Sequence, residues 1–247
     1  MKLFKIFAAL VLGLSVSSAQ AAIAAAGASL DWSSLVISSY ALGPGVAPSI
    51  SWSTVSTIIS ADTLSPNANQ AASSFDWSSA LVATAGNAAT SAGASASSSN
   101  LSVLAGDTDY APASIADSIA FRSGSFVVNG TGLVVFTINY ATSALLQPGS
   151  LTPNYAYAYA GLSATKGTTV STASDVIDLT AVNTNGNTIS HTGGLSLALL
   201  VQNGDLYSFT AATKAKTAVS AVPVPSAVWL FGTAMISFLG IKRRQTA

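Results

Sequence analysis

Short apolar alternation, broken by Gly, Asn, Pro and Ser, runs through the chain from about residue 28 to residue 217. Residues 155–160 give the clearest case, because tyrosines there alternate with alanines. Successive side chains of a strand point to opposite faces, so one face carries tyrosines and the small face needs a second sheet close by. No amphipathic helix period competes with this pattern. We therefore predict an all-β domain, a β-sandwich, of which the jelly roll is one form.

Asn-Gly dipeptides mark three turns in this domain. Both residues tolerate the positive φ angles of a tight hairpin turn. Asn129-Gly130 lies between two β-branched and aromatic runs, and we predict that these runs form a hairpin. Asn203-Gly204 predicts a second turn of the same kind, between 195–201 and 205–209. Asn185-Gly186 predicts a third turn.

Two further features of the domain leave alternatives open. Residues 83–100 are almost entirely Ala, Ser, Gly and Thr, which is typical of a flexible surface loop or of a flat small-residue strand. The sequence Asp31-Trp32-Ser33-Ser34 returns as Asp76-Trp77-Ser78-Ser79. One short repeated motif is weak evidence for an internal repeat. We therefore expect that the two copies have a similar role in packing, and equivalent strands of a duplicated sheet are the alternative.

Charge is scarce and unevenly placed. Charged residues make up 7% of the 247 positions, and all nine acidic residues are aspartates. Four of the nine basic residues lie between the two ends, so the body carries 4 minus 9, or −5. Such a body lacks the clustered Lys and Arg that nucleic acid or anionic lipid would require. With no cysteine, neither disulfides nor thiolate metal sites can form.

The first 21 residues have the layout of a secretory signal peptide. Two lysines precede an apolar run over residues 6–16, and Ala19 and Ala21 are the small residues that a signal peptidase reads. We predict cleavage after Ala21. A retained N-terminal membrane anchor is the weaker alternative, because the apolar run is about half of the roughly 20 residues that span a bilayer.

The C-terminal end has three consecutive parts. Alternating prolines at 222–225 hold the backbone extended and accessible. Residues 226–241 are apolar, and as a helix they would rise about 24 Å, slightly short of a bilayer core of roughly 30 Å. Lys242, Arg243 and Arg244 follow, and the positive-inside rule keeps them in the cytoplasm with the body outside. Both ends thus predict the same topology.

This arrangement resembles the PEP-CTERM sorting signal, which exosortases recognise in Gram-negative bacteria that make exopolysaccharide. The residues that carry the resemblance are Val222, Pro223, Val224, Pro225, Ala227, Trp229, Leu230, Phe231, Gly232, Gly240, Arg243 and Arg244. Val224 replaces the acidic residue of the usual Pro-Glu-Pro, as in a Val-Pro-x-Pro variant of the signal. The resemblance covers about the last tenth of the chain and implies processing by an exosortase-type peptidase. A plain anchor that is never cut is the alternative.

Motifs for catalysis are sparse. His191 is the only histidine, and its glycine neighbours predict an exposed loop residue rather than a catalytic base. No Gly-x-Ser-x-Gly nucleophile elbow occurs. Glycoside hydrolysis needs two carboxyl groups that meet in space, and the aspartates considered for it are Asp107, Asp109, Asp175 and Asp178.

Aspartates and tryptophans of the domain suggest two binding roles, each of which competes with an ordinary structural role. Asp107 and Asp109 are weak candidates for Ca²⁺ ligands, and two solvated loop aspartates are the favoured interpretation. Trp32, Trp52 and Trp77 could stack on sugars if they were exposed, but the flanking alternation favours burial in the core.

These observations predict a signal peptide (1–21), an exported β-sandwich (22–217) and a sorting and anchoring segment (218–247) with a transmembrane helix at about 226–241. The expected function is non-catalytic: a structural or binding protein of the cell envelope or matrix, sorted by an exosortase-type system. A permanently anchored carbohydrate-binding or adhesive module is the alternative, and an envelope glycosidase is a distant third. Expected partners are signal peptidase, the Sec translocon, an exosortase-type peptidase, the inner membrane and exopolysaccharide, with no cofactor and no nucleic acid.

Overall fold

The computed structural model describes residues 23–64, 66–108, 114–147, 154–180 and 188–219. These ranges contain twelve β-strands. The strands are β1 (Ile23–Ala41), β2 (Ser49–Thr63), β3 (Ala68–Ser74), β4 (Leu81–Gly86), β5 (Thr90–Ser97), β6 (Asn100–Asp107), β7 (Ser114–Asn129), β8 (Gly132–Gln147), β9 (Tyr155–Lys166), β10 (Thr169–Thr180), β11 (Thr188–Val201) and β12 (Leu206–Val219). In the same ranges, no helix is long and apolar enough to cross a bilayer.

The strands form two six-stranded antiparallel sheets. Sheet A has the order β11-β8-β1-β6-β5-β4, and sheet B has the order β10-β9-β12-β7-β2-β3. Buried side chains from both sheets form one hydrophobic core. The all-β prediction is confirmed, and the arrangement is consistent with a β-sandwich. The predicted signal peptide and sorting segment lie outside the described residues.

The alternation of the sequence produces the core directly. Along β7, buried and half-buried residues alternate over almost the whole strand. In β9 the tyrosines face outward and are half-buried, whereas the alternate alanines Ala156, Ala158 and Ala160 are fully buried. The predicted tyrosine face and small inner face are therefore confirmed, since the alanines pack within the core shared by both sheets.

The predicted hairpin at Asn129-Gly130 is wrong in its pairing. Gly130 has a φ of 102°, as the turn chemistry requires. However, β7 pairs with β2 and β12 in sheet B, whereas β8 pairs with β1 and β11 in sheet A. The same holds for Asn203-Gly204, where Gly204 has a φ of 85° and the turn joins β11 of sheet A to β12 of sheet B. Asn185-Gly186 lies outside the described residues.

Contacts between these two turns accompany the passage of the strands from one sheet to the other. The Gly130 amide donates to Asn203 Oδ1 at 2.9 Å, and the Gly204 amide donates to the Val128 carbonyl at 2.8 Å. A Cβ at Gly130 would lie 3.3 Å from Cα of Pro48, in the segment between β1 and β2. Three sheet-crossing connections thus stack at one end of the molecule, and their backbone groups are satisfied by one another rather than by a hairpin ladder.

Hairpins form at other turns. Strands β4, β5 and β6 form a meander, and β9 and β10 pair across Gly167, whose φ is 58°. Of the two interpretations of residues 83–100, the small-residue strand is confirmed, since most of the segment belongs to β4 and β5. On β5 the buried alanines Ala92, Ala94 and Ala96 face the core.

Candidate functional site

The tryptophans of the domain are core residues rather than a sugar-binding surface. Trp32 is buried, and Trp52 and Trp77 are partly buried against the core cluster. The ring centroids of Trp52 and Trp77 are 4.7 Å apart in an edge-to-face arrangement. The indole N–H of Trp77 donates to the carbonyls of Ser56 and Ser123 at 3.2 and 3.1 Å. The favoured prediction of burial is confirmed for Trp32, whereas Trp52 and Trp77 pack against the core and are partly buried.

A fully buried arginine lies beside this aromatic cluster. Arg122 Cζ lies 4.5 Å from the centroid of the Trp32 ring, and Nη2 donates to the Ser97 carbonyl. Nε and Nη1 have no hydrogen-bond partner among the described residues. Burial lowers the pKa of Arg122 to about 10, although the nearby charge of Asp76 opposes that shift. The guanidinium is therefore charged at neutral pH and is held mainly by an aromatic face.

His191 lies in strand β11, so the predicted loop position is wrong, although its side chain is exposed to 45%. Glycines do not break this strand, because the ring of Tyr140 on β8 covers Gly193 opposite it. His191 Nδ1 is 3.0 Å from Asp175 Oδ1, and Thr142 Oγ1 donates to Asp175 Oδ2 at 2.5 Å. Asp175 is on β10, so the group links an edge of sheet B to sheet A.

The aspartates considered for glycoside hydrolysis do not converge where the structure describes them. Asp178 is exposed on the outer face of β10, whereas Asp175 has the opposite parity and bonds across to sheet A. Asp107 is buried at the end of β6, where it accepts hydrogen bonds from the hydroxyls of Ser114 and Thr90, so the favoured interpretation of a solvated loop aspartate is wrong for this residue. Asp109 lies outside the described residues. In the described part of the chain, no group of three or more His, Cys, Asp or Glu side chains is placed to hold a metal ion.

Chemically useful side chains gather instead on the outer face of sheet B. An open depression of about 420 Å³ there is lined by six residues, which we call the tyrosine–lysine face: Asp117, Tyr155, Tyr157, Asp178, Lys214 and Lys216. Its centre is a row of directly opposed residues. Asp178 pairs with Tyr157, Tyr157 with Lys216, and Lys216 with Asp117. Strand register thus places one acidic residue at each end of this row and an aromatic residue and a lysine between them.

Lys216 is the most constrained member of this face. Its Nζ lies 3.6 Å from Asp117 Oδ2 and 5.9 Å from the centroid of the Tyr155 ring. Burial alone would lower the pKa of Lys216, but the hydrogen bond to Tyr155 and the charge of Asp117 outweigh it and leave the pKa raised. Lys216 therefore stays protonated at neutral pH, beside the ring of Tyr155.

The phenols of Tyr157 in this face and of Tyr159, two residues further along β9, are neutral at pH 7. Burial, the neighbouring phenol of Tyr159 and the charge of Asp178 raise the pKa of Tyr157, and burial raises that of Tyr159. Each phenol can therefore both donate and accept a hydrogen bond. The sequence reveals the tyrosine row, but the Lys214-Ala215-Lys216 alternation on β12 was missed. That alternation is the available signal, since it also places two like side chains on one face.

The comparisons define no family for this fold. No protein-family model, curated protein or solved structure matches the chain. The class that the fold and the site define is therefore an all-β protein with two antiparallel sheets and a polar, aromatic depression on one outer face.

Proposed function

We propose that this chain is an exported, non-catalytic protein of the cell envelope or extracellular matrix, sorted by an exosortase-type system. The observation that carries the proposal is the order of parts at the C-terminus: a Val-Pro-Val-Pro strip, an apolar stretch and a basic triplet. The resemblance to the PEP-CTERM signal rests on the same residues. In this proposal, the helix holds the body outside the inner membrane until a peptidase cuts near Pro223–Pro225.

The body has properties that suit this destination. Its aspartates outnumber its basic residues, it contains no cysteine, and hydroxyl and small side chains cover much of its outer surface. Because no disulfide contributes to stability, the fold does not depend on the redox state of its compartment through cysteine oxidation. The outer faces of the two sheets offer a broad surface that suits a structural or binding role.

Finer features of the fold belong to the same proposal. We propose a jelly-roll-like arrangement, supported by the pairing of β1 with β8 in one sheet and of β2 with β7 in the other. The two connected strand pairs thereby form a ribbon that passes through both sheets. A signal-peptide helix before Ala21 and a membrane helix at about 226–241 complete the proposed architecture.

The decisive experiment is mass spectrometry of the mature protein from its native host, with both termini identified. We expect an N-terminus at Ala22 and a C-terminus near Pro225, without the apolar stretch. An intact Ala247 would overturn exosortase processing and leave a permanently anchored protein. A body found in the cytoplasm with Met1 retained would overturn export as well.

A variant series tests the tail independently. Changing Lys242, Arg243 and Arg244 to Gln should impair membrane orientation and processing, because it removes the positive charges that stay inside. The matched control changes Lys166, Lys214 and Lys216 in the body to Gln, which removes the same number of charges elsewhere. Equal processing of the two variants would count against the tail as a sorting signal.

A second candidate function is a surface module that stays anchored and binds carbohydrate. The tyrosine–lysine face favours it, since aromatic rings and hydrogen-bonding side chains meet there in an open depression. A glycosidase has less support, because Asp175 and Asp178 project from opposite faces of β10. Release of sugar from matrix polysaccharide by the wild type, abolished in Asp178→Asn, would revive the enzymatic alternative.

A further inference from the structure

We propose that the tyrosine–lysine face binds a segment of a neutral polysaccharide chain. This inference deepens the proposed function and rests on it only for the presence of polysaccharide where the body resides. The binding residues themselves follow from strand register and side-chain contacts within sheet B.

The first argument is shape. The depression of about 420 Å³ lies across β7, β9, β10 and β12, on the outer side of the sheet. Beyond Asp117 the same row continues through Asp62 on β2 and Asn69 on β3. With neighbouring strands about 4.8 Å apart, a row across six strands is roughly 24 Å long. A polar row of that length on an open face suits an extended chain better than a single small molecule.

The second argument is the chemistry of the rings. Tyr155 and Tyr157 are half-buried, so part of each side chain is accessible to a ligand. An amphipathic ring of this kind offers an apolar face to the C–H groups of a sugar and a hydroxyl to its oxygens. Tyr157 projects from a strand that is paired on both sides, with β10 and β12, which places its ring more rigidly than a loop would. Little conformational entropy is therefore lost when a ligand packs on them.

The third argument is charge. The face contains two lysines and two aspartates, so it presents no net charge to a ligand. Asp62 in the extended row adds a further negative charge, which disfavours a polyanionic chain. The row contains both hydrogen-bond donors and acceptors, and a neutral sugar with many hydroxyl groups can use both kinds. A lipid surface would meet exposed carboxylates, and a polycation would meet the two lysines.

Binding can be measured with defined neutral oligosaccharides. The full chain, purified in detergent, is titrated calorimetrically with cellohexaose, with maltohexaose and with the polyanion hexagalacturonate. We expect binding of at least one neutral hexaose and none of the polyanion. Tyr157→Ala should weaken that binding about tenfold or more through loss of the aromatic contact, whereas Tyr157→Phe keeps the ring and should retain most of it.

Matched variants distinguish binding at the tyrosine–lysine face from binding to exposed aromatic rings elsewhere on the domain. Tyr40 is 55% exposed on β1 of sheet A, so Tyr40→Ala removes an equivalent ring from the other sheet and should leave binding unchanged. If Tyr157→Ala fails to fold, the exposed positions Lys214→Ala and Asp178→Asn replace it, and each should weaken the neutral hexaose severalfold. Absence of neutral hexaose binding, exclusive binding of hexagalacturonate, or equal effects at positions 40 and 157 would overturn the inference.

This outcome is distinguishable from failure of the proposed function. Hexaose binding together with an intact C-terminus would leave the site standing and remove the sorting proposal. A processed C-terminus in a chain that binds no neutral hexaose would do the reverse.

Discussion

Trp32 and Trp77 meet edge to face, with ring centroids 5.1 Å apart. They are the tryptophans of the two Asp-Trp-Ser-Ser copies. In each copy the aspartate accepts a hydrogen bond from the amide two residues later, at 3.1 Å for Asp31 and 2.7 Å for Asp76. The same local turn therefore occurs twice and directs both indoles to the same place. The repeated motif serves packing rather than marking duplicated strands, since one copy lies within β1 and the other between β3 and β4.

Loss of one of these rings should destabilise the domain strongly. Trp77→Ala is expected to lower the free energy of unfolding by about 3–5 kcal/mol, because it empties a packed site and removes two hydrogen bonds to carbonyls. Phe75→Ala is the matched control, since Phe75 is 94% exposed and its loss should cost within about 0.5 kcal/mol. Guanidinium denaturation measures both. A similar small loss for the two variants would mean that the indole contacts contribute little.

The carboxylate of Asp76 should make stability depend on pH. Hydrogen bonds from the Ser79 and Ser74 hydroxyls, and then from the Ser79 and Ser78 amides, hold its pKa well below the ordinary value. For a depressed pKa, the stabilisation is present above the unfolded value of about 3.9 and is lost as pH falls through the folded pKa. The stability difference between wild type and Asp76→Asn should therefore be largest near neutral pH and shrink below about pH 4.

Thermal or urea unfolding from pH 7 to pH 2 measures this difference. Ser79→Ala is the matched variant, because it removes the largest contribution to the shift while the carboxylate stays in place. It should show a weaker pH dependence than the wild type. A difference between wild type and Asp76→Asn that is constant with pH would contradict the assigned cause.

The sequence predicts the strands of this fold but not how they pair. Alternation predicts strands correctly because the period of a strand is two whatever its neighbours are, and β9 follows its Tyr-Ala pattern residue by residue. Alternation does not predict which strands pair with one another. Asn129-Gly130 specifies the φ angles of a turn, but whether β7 and β8 then pair or pass into opposite sheets depends on contacts with Pro48 and Asn203, which are distant in sequence.

The tyrosine–lysine face could also be predicted only in part, because it depends on strand pairing. The tyrosines of β9 are visible as a row in the sequence, yet the face they form with Lys216 and Asp117 exists only in one register of β9, β12 and β7. A shift of one residue would turn Lys216 toward the core. The sequence motifs at the two ends concern targeting, and they give no information about this face.

Two substitutions of the buried Arg122 should change the free energy of unfolding in different ways. Arg122→Ala should destabilise by about 2–4 kcal/mol, because it leaves a cavity beside Trp32. Arg122→Met fills a similar volume and removes a buried charge that has one hydrogen-bond acceptor, the Ser97 carbonyl, among the described residues. It should therefore be neutral or stabilising by about 1 kcal/mol or more. Chemical denaturation compares them, and equal losses would show that the cation–aromatic contact outweighs desolvation.

Two glycines of the stacked turns, Gly130 and Gly204, differ in how much space surrounds them. Gly130 and Gly204 both have positive φ, so an alanine at either position should cost about 1–2 kcal/mol of backbone strain. A Cβ at Gly204 meets nothing within 4 Å, whereas one at Gly130 lies 3.3 Å from Cα of Pro48, which must shift by about a few tenths of an ångström to accommodate it. Gly130→Ala should therefore lower the midpoint of thermal unfolding more than Gly204→Ala does. If the order were reversed, packing against Pro48 would not be what holds the sheet-crossing connections together.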